Sequence, residues 1–119
     1  MTTVESKIAV SKALQIMGLF RELNQDMPIG EVVSFLTIAT KETQNGGGLT
    51  VTELGVQGGF SLASASRYMR SLSSKNRQGG EGHGVVTDLR DPMDDRRKVL
   101  RISPKGQEIV ASIHRILGL

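Results

Sequence analysis

Asp91-Pro92-Met93-Asp94-Asp95-Arg96-Arg97-Lys98-Val99-Leu100-Arg101-Ile102-Ser103-Pro104-Lys105-Gly106 is the stretch on which the fold turns. Asp91 to Asp95 is turn chemistry, with a proline that presets its own φ. Lys98 to Ile102 reads as a strand, and Val85 to Leu89 on the other side of the turn reads as its antiparallel neighbour. Together they make a β-hairpin with a charged tip. Ser103 or Pro104 then opens a last helix, over 104–117, in which Ile109, Val110, Ile113, Ile116 and Leu117 are apolar.

Upstream of the hairpin lie two short helices. Thr50-Val51-Thr52-Glu53 fits a capping box, with Thr50 as N-cap and Glu53 three residues on. The helix it starts runs to about Gly55–Gln57, and Gly58-Gly59 makes a turn. Ser61 suits the N-cap of the next helix. There Leu62, Ala65, Met69 and Leu72 fall at i, i+3, i+7 and i+10, the expected buried face. Ser64, Ser66, Arg67, Arg70 and Ser71 are left on other faces. Two short helices joined by a glycine-containing turn form the helix-turn-helix pattern. Residues 76–84, with four glycines in nine positions, read as a loop before the hairpin.

The N-terminal half reads as two longer helices. Over 5–24, Val10, Ala13, Met17 and Phe20 share one helical face, and Ala9, Ile16, Leu19 and Leu23 lie beside it. A helix apolar on more than one side needs more than one partner, and a second copy of the chain could supply the other. After the break at Asp26-Met27-Pro28, with Pro28 suited to a first turn, Ile29, Val32, Val33, Leu36 and Ala39 give the expected face of a second helix. Gln44-Asn45-Gly46-Gly47-Gly48 ends it. No repeat or linker divides the chain, so residues 1–119 are expected to form a single domain. The fold class expected is mainly α with a small β-hairpin (α+β), and a helix-turn-helix followed at once by a hairpin is the winged-helix arrangement.

Charge is placed unevenly. Residues 1–59 carry four Lys/Arg against six Asp/Glu, whereas residues 60–119 carry eleven against six. A basic excess confined to one half suits a face that meets a polyanion. The six serines between 61 and 74 are poor helix formers. Such a surface is odd for stability and sensible for close approach to DNA. In a winged helix the second helix of the pair meets the major groove, where base edges are distinguishable, and basic side chains bind phosphates.

The quoted stretch resembles the wing and following helix of the multiple-antibiotic-resistance-regulator (MarR) family. That family's wing reads Asp-x-Arg-Arg before a strand ending in Leu-Thr-Pro-x-Gly. Asp95-Arg96-Arg97 and Leu100-Arg101-Ile102-Ser103-Pro104-Lys105-Gly106 match, with Ser103 where Thr is usual. Leu49 to Leu54 and Ala65 to Leu72 resemble its helix-turn-helix, so the resemblance covers roughly residues 29–113. It implies that Ser64, Ser66 and Arg67 face the major groove, with Arg70 and Lys75 nearer phosphates. Arg96 and Arg97 would serve the wing, and Asp95 would orient a wing arginine. It also implies a dimer built from the first and last helices, 5–24 and 104–119. This is a short, atypical match. The loop before the wing is longer and richer in glycine than usual. The chain stops at Leu119, short of the family's long C-terminal helices, so the first helix is expected to do more of the pairing.

Other chemistries find no support. Without cysteine there is no disulfide, thiolate or cysteine metal site. Asp91, Asp94 and Asp95 lack the spacing of a calcium loop, and His83 and His114 stand apart with no further ligand pattern. No serine sits in a Gly-x-Ser-x-Gly elbow, and Gly46–Gly48 lacks the Lys-Ser/Thr of a phosphate-binding loop. Aromatic content of 3% speaks against binding single strands by stacking. No run approaches the ~20 apolar residues of a membrane span, and no signal peptide opens the chain.

The expectation is therefore a non-enzymatic DNA-binding transcription regulator, a repressor and homodimer, with no cofactor, no metal, no membrane contact and an unidentified effector. It would act on double-stranded DNA in the cytoplasm of a bacterial or phage-infected cell, associated with the nucleoid. Helix 61–75 would lie in the major groove and wing 89–101 on the backbone or minor groove. The DNA-binding set is Ser61, Ser64, Ser66, Arg67, Arg70, Ser71, Lys75, Arg90, Arg96 and Arg97, and Lys98 and Arg101 share the wing's charge. The alternative is an interaction or architectural accessory module that binds a protein, or DNA without sequence preference.

Overall fold

A computed structural model describes residues 3–74, 82–91 and 93–119, with the side chain of Asp95 excepted. Lys75 and most of the glycine-rich loop therefore lie outside the described residues. The elements run α1 (Val4–Leu23), α2 (Ile29–Lys41), α3 (Val51–Gly58), α4 (Leu62–Leu72), β1 (Val86–Asp91), β2 (Asp94–Ile102) and α5 (Pro104–Leu117). This is the α+β winged-helix arrangement.

The local signals in the chain explain most of these boundaries. At α3 the Thr50 hydroxyl accepts from the Glu53 N–H at 3.1 Å, and the Glu53 carboxylate accepts from the Thr50 N–H at 3.0 Å, which is the reciprocal capping box. The helix ends on Gly59 at φ +75°, a left-handed conformation that suits glycine. Ser103 caps α5, accepting from the Gly106 N–H and donating to the Gly84 carbonyl at 2.6 Å. Gly106 itself answers to packing. A Cβ there would stand closer than 3.0 Å to the carbonyl oxygen of Val85 and to Ile102, so only glycine lets α5 lie this near the root of β1.

The core gathers Phe20 of α1, Val32, Phe35 and Ile38 of α2, Leu54 of α3, Ala65 and Leu72 of α4, and Val86, Leu100 and Ile102 of the hairpin. Phe20 and Phe35 meet edge to face at 5.4 Å. The wing is a single antiparallel pair, with Val86 opposite Ile102 and Arg90 opposite Lys98, and its register slips at Arg90/Asp91. Leu49 adds an isolated bridge to Leu100.

Three expectations are corrected. In α2 the buried face is Val32, Phe35 and Ile38, together with Ser34 and Glu31. Ile29 is 65% exposed, and Val33 and Leu36 point outward too. Counting apolar residues could not separate the faces of a helix that is apolar on both. In α4, Leu62 is 58% exposed, because its place on the first turn lies beyond the reach of the core that holds Ala65 and Leu72. In the hairpin, β1 runs to Asp91 and β2 begins at Asp94, so the strands extend into residues that read as turn.

Replacing Gly106 with alanine is expected to lower stability by about 1–3 kcal/mol, the usual cost of overpacking. A shift in the urea midpoint measures it, and an unchanged midpoint would mean that α5 can slide away from Val85.

Candidate nucleic-acid interface

Helix α4 carries no acidic residue. It rests on Ala65 and Leu72, with Met69 partly buried between them, which turns Ala63 and Arg67 outward and leaves Ser66 and Arg70 half-buried on the flanks. Ser61 and Ser64 are engaged at the cap. The Ser61 hydroxyl accepts from the Ser64 N–H and donates to the Ser64 hydroxyl, both at 3.1 Å. Ser71 is half-buried, and its carbonyl accepts from the His83 N–H at 2.9 Å. The Val85 N–H donates to the Leu72 carbonyl at 2.8 Å, so the end of α4 is tied to the start of the wing. Leu62 and Ala63 belong to the exposed start of this helix as well.

The wing arginines divide into two kinds. The Arg96 side chain is 96% exposed, with Nε 3.7 Å from Asp94, and stands at the outer end of β2 beside the exposed Met93. Arg97 is turned inward. Its guanidinium binds Asp91 at 2.6 Å and also the carboxylate of Glu53. Asp91 in turn accepts from the Met93 N–H at 2.9 Å. Asp91 and Glu53 thus orient Arg97, and the side chain of Asp95, expected in such a role, lies outside the described residues. Arg90 is exposed on β1, and Lys98 lies 3.8 Å from Asp88.

Arg101, expected to add to the charge of the wing, is also internal. Its Nε pairs with Glu42 at 3.0 Å, and its Nη1 donates to the carbonyls of Thr43 and Gly47, each at 2.7 Å. Glu42 further accepts from the Ile102 N–H at 2.9 Å. Two arginines that look like surface charges in the sequence therefore fasten the wing, Arg97 to α3 and Arg101 to the loop ahead of it.

These contacts move the ionisation equilibria. The Met93 N–H and then Arg97 hold the Asp91 carboxyl below its usual range. The Thr50 N–H, with Arg97 as a smaller cause, does the same for Glu53. Asp91, followed by Glu53, raises Arg97 further. Among the described residues no three His, Asp or Glu side chains gather as a metal site, and no helix is long and apolar enough to cross a membrane. A cleft of about 230 Å³ between Leu19, Glu22 and Leu23 of α1 and Lys105, Glu108 and Ile109 of α5 is smaller than the usual ligand pocket.

A carboxylate held low in the folded state stabilises it above the ordinary carboxylate range and loses that contribution as pH falls through the depressed value. Acid unfolding of the wild-type chain is therefore expected to steepen below about pH 4. Asp91→Asn should be less stable at neutral pH and lose less on acidification. Circular dichroism against pH measures both, and parallel curves would show that Asp91 does not carry this linkage.

No family model matches the sequence, and no curated protein does. Solved structures do match. The chain is similar to the MepR–DNA complex from S. aureus, with a TM-score of 0.63 at 17% identity over 94% of this chain and 77% of that one. It is similar to MarR, with a TM-score of 0.58 at 22% identity over 95% and 72% of the two chains. The transcriptional regulator BldR from Sulfolobus solfataricus follows at 0.55 and 14% identity, over 98% and 80%. The chain folds as a MarR-like winged helix.

Proposed function

We propose that this protein is a transcription repressor that binds duplex DNA as a homodimer, with α4 in the major groove and the tip of the wing in the flanking minor groove or on the backbone. One observation carries the reading. The outward side of α4 is basic and free of carboxylates, and the wing tied to its end carries an exposed arginine at its tip. Its fold is that of MepR, which has been solved with DNA.

The roles of the basic residues follow from what holds them. Arg67 and Arg70 serve the groove and its phosphates, with Lys75 continuing that line in the sequence. Ser66 on the flank allows close approach, and Ser61, Ser64 and Ser71 act through the cap and the helix end. Arg96 is the wing's contact with DNA, and Arg90 serves the strand behind it. Arg97 positions the wing and does not itself meet the duplex. Val4, Ile8, Val10 and Leu14 expose an apolar face along α1, and α1 packs on α5. A second copy covering that face would place two α4 helices against successive major grooves of a pseudo-palindromic site, about one helical turn apart.

Fluorescence anisotropy with selected duplex DNA across a salt series tests this. Arg96→Ala is expected to bind more weakly and to reduce the slope of log affinity against log salt by about one, with the melting temperature unchanged. Arg97→Ala should lower the melting temperature as well, and identical behaviour of the two variants would remove the distinction between them. Equal affinity for random and selected duplexes would favour an architectural role. In sedimentation velocity, Leu14→Glu is expected to turn a wild-type dimer into a folded monomer, and a wild-type monomer would exclude the dimeric reading.

A further inference from the structure

We propose that Tyr68 is the positioning residue of α4: lodged against Gly30 of α2 and braced by Phe60, its ring holds the Arg67 guanidinium ready for the duplex. The inference rests on the DNA-binding reading and deepens it, since it says why Arg67 is ordered before DNA arrives.

Gly30 is the second residue of α2 and is buried. A Cβ on it would lie closer than 3.0 Å to Cζ, Oη and Cε2 of Tyr68. Tyr68 therefore occupies space that any other residue at position 30 would fill. On its other side, Phe60 meets the Tyr68 ring edge to face, with centroids 5.0 Å apart and planes at 72°. Phe60 is itself seated against the backbone of Gly58, where a Cβ would again come closer than 3.0 Å to its ring. Two glycines and one aromatic edge thus set the place and tilt of a single ring.

Arg67 uses that ring. Its Cζ lies 5.4 Å from the Tyr68 centroid, within the range in which a cation is attracted to a π face. Adjacent residues on a helix do not ordinarily face each other. The contact depends on a tyrosine placed by Gly30 and Phe60, so that its neighbour can fold over it. Arg67 is exposed, and no ion pair is formed by it among the described residues. A long cationic side chain loses rotamer freedom when it docks, and one already resting on a ring loses less. The same ring touches α2, so the setting of α4 against α2 and the presentation of Arg67 depend on one side chain.

The test is a double-mutant cycle on duplex binding by anisotropy, with Tyr68→Leu, Arg67→Ala and the double variant, and Tyr68→Phe as the conservative control. Tyr68→Phe keeps the ring and is expected to bind within about twofold of wild type. Tyr68→Leu keeps apolar bulk without a π face and is expected to weaken binding about three- to tenfold, and only when Arg67 is present. Additive effects, or a folded Tyr68→Leu chain that binds like wild type, would overturn the inference and leave the DNA-binding reading standing. Failure of the wild-type chain to bind any duplex would overturn both. Because Tyr68→Leu could fail to fold, the Arg67 δ-proton shifts of the free protein give a second measurement. Upfield ring-current shifts in wild type and Tyr68→Phe are expected, and random-coil values in both would overturn the proposal.

Discussion

A two-stranded hairpin buries too little surface to hold a fixed direction by itself, and a wing that wanders cannot present a contact at a chosen place. The stability of this wing is borrowed from the helix-turn-helix beside it. Arg97 reaches from β2 to Glu53, the residue whose carboxylate also completes the capping box of α3. Asp91 takes the other side of the same guanidinium. One carboxylate therefore serves both the start of α3 and the seat of the wing, and the two elements cannot move independently without breaking a charge-assisted hydrogen bond.

Arg101 makes a second fastening of the same kind at the inner end of β2, where Glu42 and two loop carbonyls hold its side chain. Between the two fastenings, Leu49 contributes a bridge to Leu100 and widens the root of the sheet. The wing is thus held to the body both at its inner end and toward its tip, and carries the exposed Arg96 side chain at the far end. The same logic governs α4, whose C-terminus is sewn to the loop ahead of β1 and whose inner face meets α2 through Tyr68 and Gly30. Helix and wing form one surface because both are bound to the small body around α3.

Helix α1 stands apart from this arrangement. Its C-terminal half contributes Phe20 to the core, with Ile16, Met17 and Leu23 packed against it, while Val4, Ile8 and Leu14 remain exposed. The chain thus has one end committed to its own core and another whose apolar face has no cover among the described residues. Val4, Ile8 and Leu14 lie outside both apolar sets read along this helix, whose Ile16, Met17, Phe20 and Leu23 turn to the core.

The features legible in the sequence are local ones. The capping box at Thr50 and Glu53, the caps at Ser61 and Ser103, the glycine turn and the hairpin all depend on residues within a few positions of each other, and their chemistry is complete over that span. The order of elements, and with it the winged helix, follows from them. The inward face of α2 and the fate of each arginine were settled only in the tertiary structure. Ile29 and Phe35 are both apolar, and packing chose between them. Arg96 and Arg97 are neighbours of the same type, yet one is exposed and the other is bound to a carboxylate 44 residues away. Such pairing depends on distances in space that folding sets, so a charge in the sequence marks a capacity to bind an anion without saying whether that anion is the protein's own.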